Sequence, residues 1–245
     1  MKSVMITGST SGIGEALFKL YCAESYHVIA CGRNKTKLDS YQLSHQLNNQ
    51  HMQTLAFDIT QPNEIKNAAK HVSTIDILIL NAGDCAYLDD INNFDAELFA
   101  RIINTNLISL GYLLQYFLPK LSTGGQVVFI SSSATLLPFP KAEAYGASKA
   151  GINYLANSLR VDLAATHIDV TLVQPGFIQT PLTNKNTFDM PFMISSDRAA
   201  RLIYEGIDKR KKLLQFPRRL IILLKILAFL PTAFWIGLIT RSSTS

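Results

Sequence analysis

The sequence predicts an α/β fold in which helices cover both faces of a doubly wound parallel β-sheet, with an apolar, basic helix following at the C-terminus. Short apolar runs alternate with longer helical patterns along the chain, which is typical of three layers built around a parallel sheet. The first apolar run leads directly into a glycine-rich turn and the start of a helix. The length of 245 residues suits one core of this kind.

The apolar runs and the helical patterns between them give the order of the elements. Strands are predicted at residues 4–6, 27–31, 54–57, 75–80, 126–130 and 170–173, and a seventh at residues 213–216. Helices are predicted at residues 12–24, 34–49 and 196–207, and a long helix is expected to end near Pro119. Another helix is expected to begin after Thr60, because threonine caps helices and Pro62 is tolerated in a first turn.

The C-terminal segment differs from the rest of the chain in its charge. The net charge is +5, yet eight of the 23 basic residues lie from residue 209 onward, where no acidic residue occurs. The part before it therefore carries 15 basic against 18 acidic residues. Because the basic residues of the tail alternate with an apolar run and not with a groove-reading motif, we expect no nucleic-acid partner. We divide the chain into a domain at 1–217 and a hydrophobic basic tail at 218–245.

The apolar run of the tail extends over residues 220–239, which is long enough for a membrane span. Lys225 and Pro231 interrupt it and argue against a simple span. Arg218, Lys225 and Thr232 recur every seven residues, which would place them on one face of a continuous helix. We expect a helix over residues 218–241 that makes a peripheral contact with a membrane surface, with its basic residues towards anionic headgroups and Phe229, Phe234 and Trp235 in the interface. The alternatives are a true span and a buried interface in a homo-oligomer.

Cysteine and histidine usage indicates neither disulfides nor a metal. Cys22, Cys31 and Cys85 are odd in number and lack paired spacing, which fits a reducing cytoplasm. The five histidines show no metal-ligand spacing, so we expect no metal site. The first residues enter a strand at once, and a secretory signal peptide is therefore not expected.

The candidate chemical centre is the sequence YGASK at residues 145–149. Tyr145 and Lys149 are four residues apart, so they share one face of a predicted helix. A neighbouring ammonium favours a phenolate, and we expect it to lower the pKa of the tyrosine towards neutrality. Serines at 131–133 follow a predicted strand and could hold a carbonyl oxygen against the phenol. The alternative is an ordinary surface pair on a helix.

The glycine-rich turn lies between the first predicted strand and the first predicted helix. Gly8, Gly12 and Gly14 form a GxxxGxG pattern, and residues without Cβ let backbone N–H groups and a helix N-terminus approach a pyrophosphate. The pattern differs from the GxGxxG fingerprint but makes the same physical demand. We therefore predict a dinucleotide site at this turn.

These two motifs, in this order, resemble the short-chain dehydrogenase/reductase family, whose pattern is TGxxxGxG near the start and YxxxK about midway. The resemblance implies a single-domain, Rossmann-type fold and an NAD(P)-dependent oxidoreductase acting on carbonyl and alcohol groups. In the family a serine holds the carbonyl oxygen, the tyrosine transfers the proton, and an asparagine holds a water beside the lysine. The resemblance assigns these roles to Ser132, Tyr145, Lys149 and Asn106, with Ser131 and Asn104 as alternatives.

By the same resemblance, the cofactor contacts come from segments that follow the strands and from the catalytic helix. They are Gly8, Ser9, Ser11, Gly12, Ile13, Gly14, Arg33, Asn34, Asp58, Ile59, Asn81, Ala82, Gly83, Tyr145, Lys149, Pro175, Gly176, Ile178 and Thr180. The family's usual NNAG motif is LNAG in this chain.

Arg33 indicates that NADP(H) is preferred over NAD(H). NAD-binding relatives usually carry an acidic residue after the second strand, and this chain has Gly32 and Arg33 there. A guanidinium can pair with a 2′-phosphate through two hydrogen bonds, with Asn34 and Ser11 as helpers. The alternative is a solvated loop arginine.

Two segments, residues 136–142 and 183–194, are candidates for the substrate wall. They carry a set of apolar and adaptable side chains, namely Leu136, Leu137, Phe139, Phe188, Met190, Phe192 and Met193. We therefore expect a small hydrophobic carbonyl or alcohol substrate, although these residues could equally belong to the core. A rival hypothesis is a membrane-surface protein that senses the dinucleotide and has little activity.

Overall fold

The computed structural model describes residues 1–46, 51–185 and 189–242. Its centre is a parallel sheet of seven strands in the order β3-β2-β1-β4-β5-β6-β9. These strands are β1 Ser3–Thr7, β2 His27–Gly32, β3 Met52–Ala56, β4 Ile75–Leu80, β5 Leu121–Ile130, β6 Asp169–Pro175 and β9 Leu213–Phe216. Two short strands, β7 Ile178–Gln179 and β8 Ile194–Ser195, pair separately and were not predicted from the sequence.

The helices lie on both faces of the sheet and follow the predicted order. They are α1 Gly12–Ala23, α2 Lys35–Gln46, α3 Pro62–Ala69, α4 Ala96–Ile103, α5 Ser109–Phe117, α6 Glu143–Asp162, α7 Ser196–Asp208, α8 Arg218–Phe229 and α9 Thr232–Ser242. The end predicted for the second helix, at residues 47–49, lies outside the described residues.

Two apolar cores separate the three layers. Val4 and Ile6 of β1 belong to the core under α1, α2 and α7, whereas Met5 belongs to the core under α3, α5 and α6. Successive strand residues point to opposite faces, so a strand covered on both sides must be apolar at every position. The three-layer prediction is confirmed.

One local prediction is wrong. Thr60 does not cap α3, because its hydroxyl donates to the Asp58 carboxylate and Gln61 occupies the residue before the helix. The long helix expected before Pro119 is present from Ala96 to Phe117, but it contains a π-helical turn at Asn104–Ile108 that was not predicted. A π-turn inserts a residue into the helical ladder, and its position is therefore relevant to Asn106.

The order of the strands creates a crevice at the carboxyl ends of β1 and β4. From β1 the chain proceeds outward to β2 and β3, and then returns to the other side of β1 as β4. Loops after the two neighbouring strands leave the sheet in opposite directions, which opens the position where ligands bind in folds of this type.

The tail consists of two helices and not of one. Pro231 lies between α8 and α9, which confirms the predicted break at this residue. The expected alignment of Arg218, Lys225 and Thr232 on one helical face is wrong, because Thr232 begins the second helix. The expected position of Trp235 in a membrane interface is also wrong, because its side chain is buried and its indole donates to the Pro138 carbonyl. Among the described residues, every helix is too short or too polar to cross a bilayer.

Candidate active site

A cavity of about 580 Å³ lies at the crevice between the ends of β1 and β4. Most predicted site residues line it, and those that do so are Gly8, Ser11, Gly12, Ile13, Arg33, Asn34, Asp58, Ile59, Asn81, Ala82, Gly83, Ser132, Tyr145, Lys149, Pro175, Gly176, Ile178 and Thr180. Ser9, Gly14 and Asn106 are not among the lining residues. Their positions are described below.

The glycine turn brings backbone close to backbone. Gly8 has φ of +69°, and a Cβ added there would come 2.9 Å from the Ala82 Cα. A Cβ on Gly14 would come 2.1 Å from the Gly8 carbonyl oxygen, so Gly14 allows α1 to pack against the turn and does not face the cavity. Asn81 fastens the turn by donating to the Thr7 carbonyl at 2.9 Å. Only small residues fit this arrangement.

The N-terminus of α1 opens into the cavity. Ser11 precedes the helix, and its side chain makes no capping hydrogen bond. The first N–H groups of a helix have no partner within the helix, so they and the Ser11 hydroxyl can bind an anion. Ser9 has a different position: it is fully buried, and its hydroxyl donates to the Cys31 carbonyl at 3.0 Å.

Arg33 and Asp58 lie at the opposite end of the cavity from the catalytic helix. The Arg33 side chain is 74% exposed, and its guanidinium is 3.5 Å from the Asp58 carboxylate. Partial burial tends to raise the pKa of Asp58, but hydrogen bonds from Thr60 and the charge of Arg33 outweigh it and lower the pKa. The carboxylate is therefore ionised, and it holds Arg33 by an exposed ion pair of the weak kind.

Tyr145, Lys149 and Ser132 meet near the end of β5. The Lys149 side chain is buried; its ammonium donates to the Ile130 carbonyl at 3.0 Å and lies 5.6 Å from the centre of the Tyr145 ring. The Ser132 hydroxyl interacts with the Tyr145 phenol. The alternative serine, Ser131, donates to the backbone carbonyl of Lys149 at 3.1 Å. Ser132 is thus the serine that faces the phenol.

The expected lowering of the phenol's pKa is wrong for this arrangement. Burial and the neighbouring Cys85 raise the pKa of Tyr145 to about 12, and the Ser132 hydroxyl opposes this only in part. Burial also lowers the pKa of Lys149 to about 8, with Cys85 acting in the opposite direction. The ammonium lies over the face of the ring, and desolvation is the largest cause of the shift in the phenol's pKa. Near neutrality the phenol is therefore protonated and able to donate a proton.

Asn106 lies in the π-turn and is buried. Its carbonyl oxygen accepts from the Asp84 N–H at 2.7 Å, and its amide donates to the Asp84 carbonyl and to the Ser148 hydroxyl. A Cβ on Gly83 would lie 3.1 Å from the Asn106 carbonyl oxygen and 3.6 Å from the Lys149 ammonium. Asn106 therefore fixes the chain after β4 beside Lys149, and its role in holding a water stays a prediction.

Several cavity residues were missed by sequence reasoning. They are Thr7, Thr10, Cys31, Phe57, Asp84, Thr105, Ile130, Pro181 and Leu182, and the cavity is also lined by Gly32, Ser131 and Thr183, which were predicted in other roles. Most of them are direct neighbours of predicted residues, so extending each motif by one or two positions would have found them. Asp84 directly follows the Asn81–Gly83 segment and pairs with Arg101 at 2.8 Å.

Of the described residues in the expected substrate segments, Thr183 alone lines this cavity. Leu137 and Phe139 pack against the tail instead, where Phe139 meets the Trp235 ring edge-to-face with centroids 5.8 Å apart. Phe192 and Met193 are exposed, and Phe188 lies outside the described residues. Among the described residues, no group of three histidine, cysteine, aspartate or glutamate side chains is placed to hold a metal ion.

Comparisons with known proteins agree with the geometry of this site. A sequence profile described as short chain dehydrogenase matches residues 2–190. An uncharacterized oxidoreductase of Myxococcus xanthus is 28% identical over 236 residues, which cover 94% of this chain and 93% of that protein. A Haemophilus influenzae protein described as a probable NADP-dependent dehydrogenase is 30% identical over 212 residues, which cover 84% of this chain and 81% of that protein.

The fold also has counterparts among solved structures. A short-chain dehydrogenase from Sphingobium yanoikuyae, in complex with NADPH, matches with a TM-score of 0.79 at 23% identity. The match covers 100% of this chain and 94% of that chain. At this identity the likeness concerns the fold.

Proposed function

Because the chain belongs to the short-chain dehydrogenase family and is an NAD(P)-dependent oxidoreductase, we propose that it transfers a hydride between NADP(H) and a carbonyl or alcohol group of a small hydrophobic substrate. One observation carries the proposal: the cavity joins the open N-terminus of α1 to the Ser132, Tyr145 and Lys149 cluster. A binding site for phosphates and a proton donor thus share one space. The alternative, a protein that senses the dinucleotide and has little activity, is not favoured, because it gives the Ser132, Tyr145 and Lys149 cluster no function.

The residues present fit a dinucleotide. A Cβ on Gly12 would come 3.1 Å from Thr180, so the glycine leaves room where the segment after β6 closes over the turn. The uncapped N-terminus of α1 suits the pyrophosphate. When bound, the nicotinamide supplies or accepts the hydride. Pro175, Gly176 and Ile178 would hold the nicotinamide end, and Asp58 and Ile59 the adenine end.

The preference for NADP(H) is part of the proposal and depends on Arg33. The exposed ion pair with Asp58 contributes little free energy, about 0–1 kcal/mol, so the guanidinium can turn to a 2′-phosphate at small cost. Gly32 places no carboxylate at the end of β2 that would repel that phosphate. The description of the Haemophilus relative as NADP-dependent agrees with this direction.

The catalytic residues are proposed for carbonyl reduction at neutral pH. Ser132 donates a hydrogen bond to the carbonyl oxygen, and Tyr145 gives it a proton. The raised pKa of Tyr145 keeps the proton on the phenol until the oxygen becomes negative. Lys149, whose pKa is lowered to about 8, carries a charge near neutrality that stabilises the phenolate left behind. Asn106 holds the neighbouring loop in place.

The remaining parts of the proposal concern substrate and location. Phe192 and Met193 are exposed just before Ile194, which pairs with the cavity residue Ile178, and their apolar side chains favour a hydrophobic substrate. We also propose a cytoplasmic protein that contacts a membrane peripherally through residues 218–241, with a homo-oligomer as its assembly. The three cysteines, which are not joined by disulfides, agree with a reducing compartment.

The proposal is tested by NADPH oxidation with a panel of aldehydes and ketones of increasing apolar length. We expect turnover that rises with apolar length and falls about 100-fold or more in Ser132→Ala, because a donor to the developing oxyanion is lost. NADPH binding, measured separately, should be unchanged in this variant. Binding of NADPH without turnover of any carbonyl or alcohol would favour the sensor instead.

A further inference from the structure

The two tail helices have an inner face that packs on the site and an outer side that carries exposed apolar residues. Leu220, Leu224 and Trp235 form the inner face, in one buried cluster with Leu137. The exposed apolar residues of the outer side are Ile222, Leu223, Ile226, Phe229 and Phe234. We call these five residues the tail surface. Large exposed apolar patches mark sites that bind proteins or membranes.

The inner face holds both segments that flank the proposed reaction centre. The Trp235 indole N–H donates to the Pro138 carbonyl at 2.7 Å, only a few residues after Ser132. On the other side, Leu220 packs so closely on Gly176 that a Cβ on the glycine would come 2.5 Å from the leucine Cδ2. A helix with its side chains is about 10 Å across. The tail surface therefore lies about one helix diameter from the substrate segments.

The pattern of α8 fits a lipid surface. Ile222, Ile226 and Phe229 are spaced by four and three residues, so they form one stripe along the outer side of the helix. Arg219 and Lys225 are exposed beside this stripe. Basic side chains beside an apolar stripe bind headgroups while the stripe enters the acyl region.

The charge of the tail argues against a second copy of the chain as the occupant. A twofold dimer brings the same patch of both subunits together. Here it would join two basic patches, because the sequence contains no acidic residue from position 209 onward. An anionic lipid surface supplies the opposite charge, which attracts each basic residue that lies near it.

We propose that an anionic lipid surface docks on the tail surface and that the site takes its substrate from that surface, an inference that rests on the proposed function. Docking leaves the inner face in place, since α8 and α9 lie flat. The segments at 136–139 and 176–177, which the inner face contacts, then lie about one helix diameter from the lipid, and an apolar carbonyl compound dissolved in the lipid has only this short distance to cover to reach Ser132.

Vesicle flotation of the full chain tests the docking. We expect binding to vesicles of equal parts phosphatidylserine and phosphatidylcholine, and at least about 10-fold weaker binding to phosphatidylcholine alone or at high salt. Phe229→Glu should abolish binding; its side chain is 90% exposed, so folding is not at stake. Lys225→Gln should weaken binding about fivefold. Leu43→Glu, on an exposed apolar residue of α2, is the matched control and should bind as the unmodified chain does.

The second measurement concerns the source of substrate. With a long-chain aldehyde, vesicles containing phosphatidylserine should raise turnover by the unmodified chain several-fold and leave Phe229→Glu unaffected. With a short, water-soluble aldehyde, both proteins should be equally active without vesicles. The emission of Trp235, the one tryptophan in the sequence, should stay that of a buried indole throughout.

Three outcomes would overturn the inference. The first is equal binding to both vesicle types, and the second is full binding by Phe229→Glu. The third is that the unmodified chain binds no vesicles and forms a dimer, which Phe229→Glu converts to a monomer. The last result would assign the tail surface to a second copy. Failure of the proposed function is distinguishable, because it would abolish turnover of the short aldehyde while vesicle binding persists.

Discussion

Replacing Arg33 with alanine should convert a preference for NADPH into near indifference between the two cofactors. Hydrogen bonds between a guanidinium and a phosphate are charge-assisted and contribute about 1.5–3 kcal/mol. The side chain is largely exposed, and its ion pair with Asp58 spans 3.5 Å, so its loss costs the fold about 0–1 kcal/mol. We therefore expect the Kd for NADPH to rise about 10- to 100-fold and the Kd for NADH to change less than about threefold.

The assay is a fluorescence or calorimetric titration of each cofactor into the purified protein. Lys35→Ala is the charge-matched control, because Lys35 is exposed at the start of α2 and does not line the cavity. It should change both affinities little. If Arg33→Ala weakened NADPH and NADH equally, Arg33 would be a structural residue. If Lys35→Ala had the same selective effect, the preference for NADPH would come from the positive electrostatic potential of this region and not from a contact between Arg33 and the 2′-phosphate.

Further variants at four positions test the packing. Gly14→Ala should destabilise the fold by at least about 1–3 kcal/mol in urea unfolding, because its Cβ would meet the Gly8 carbonyl. Gly111→Ala has open space around it and should stabilise α5 by about 0.5–1 kcal/mol. Trp235→Phe removes the hydrogen bond to the Pro138 carbonyl and should cost about 0.5–1.5 kcal/mol, whereas Trp235→Ala should cost about 3–5 kcal/mol, raise the KM and leave the NADPH affinity unchanged. The pKa of Lys149 falls from 10.5 to about 8 on folding, so between these pH values the unfolded chain binds more protons than the folded chain. The free energy of unfolding should therefore rise with pH over this range, by about 3 kcal/mol at most from this group. Lys149→Met should remove that rise. Three results would contradict this packing. These are a Gly14→Ala protein with the stability of the unmodified chain, a Trp235→Ala protein with unchanged stability and KM, and the same dependence of unfolding free energy on pH in the unmodified and Lys149→Met proteins.

The succession of strands along the chain and the position of the site could be predicted, because both depend on local sequence patterns. Every residue of β4 is apolar except one, and such a strand is stable only when both its faces are covered. Gly8 and Gly14 were predicted as parts of one turn, and the structure gives each a separate steric reason. Strand ends were less predictable, because β5 extends back to Leu121 through a glycine pair that has no strand signal.

Features that depend on distant partners could not be predicted. The π-turn around Asn106 is fixed by hydrogen bonds to Asp84 and Ser148, which are far apart in sequence. The pKa of Tyr145 depends on burial, and the i,i+4 spacing to Lys149 carries no information on whether the ammonium reaches the oxygen or the ring. The docking of Trp235 on Pro138 joins residues 97 positions apart. Such contacts are visible only after the chain has folded.

The central claim is that Tyr145 is the proton donor of an NADPH-dependent reductase, and its most direct test is turnover by Tyr145→Phe beside NADPH affinity in the same preparation. The account predicts a loss of about 10²- to 10⁴-fold in kcat with affinity changed less than about threefold, because the ring stays and only the hydroxyl is removed. Tyr154→Phe, on a tyrosine of the same helix that is 80% exposed, should keep full activity. Near-normal kcat in Tyr145→Phe, or an equal loss in Tyr154→Phe, would contradict it.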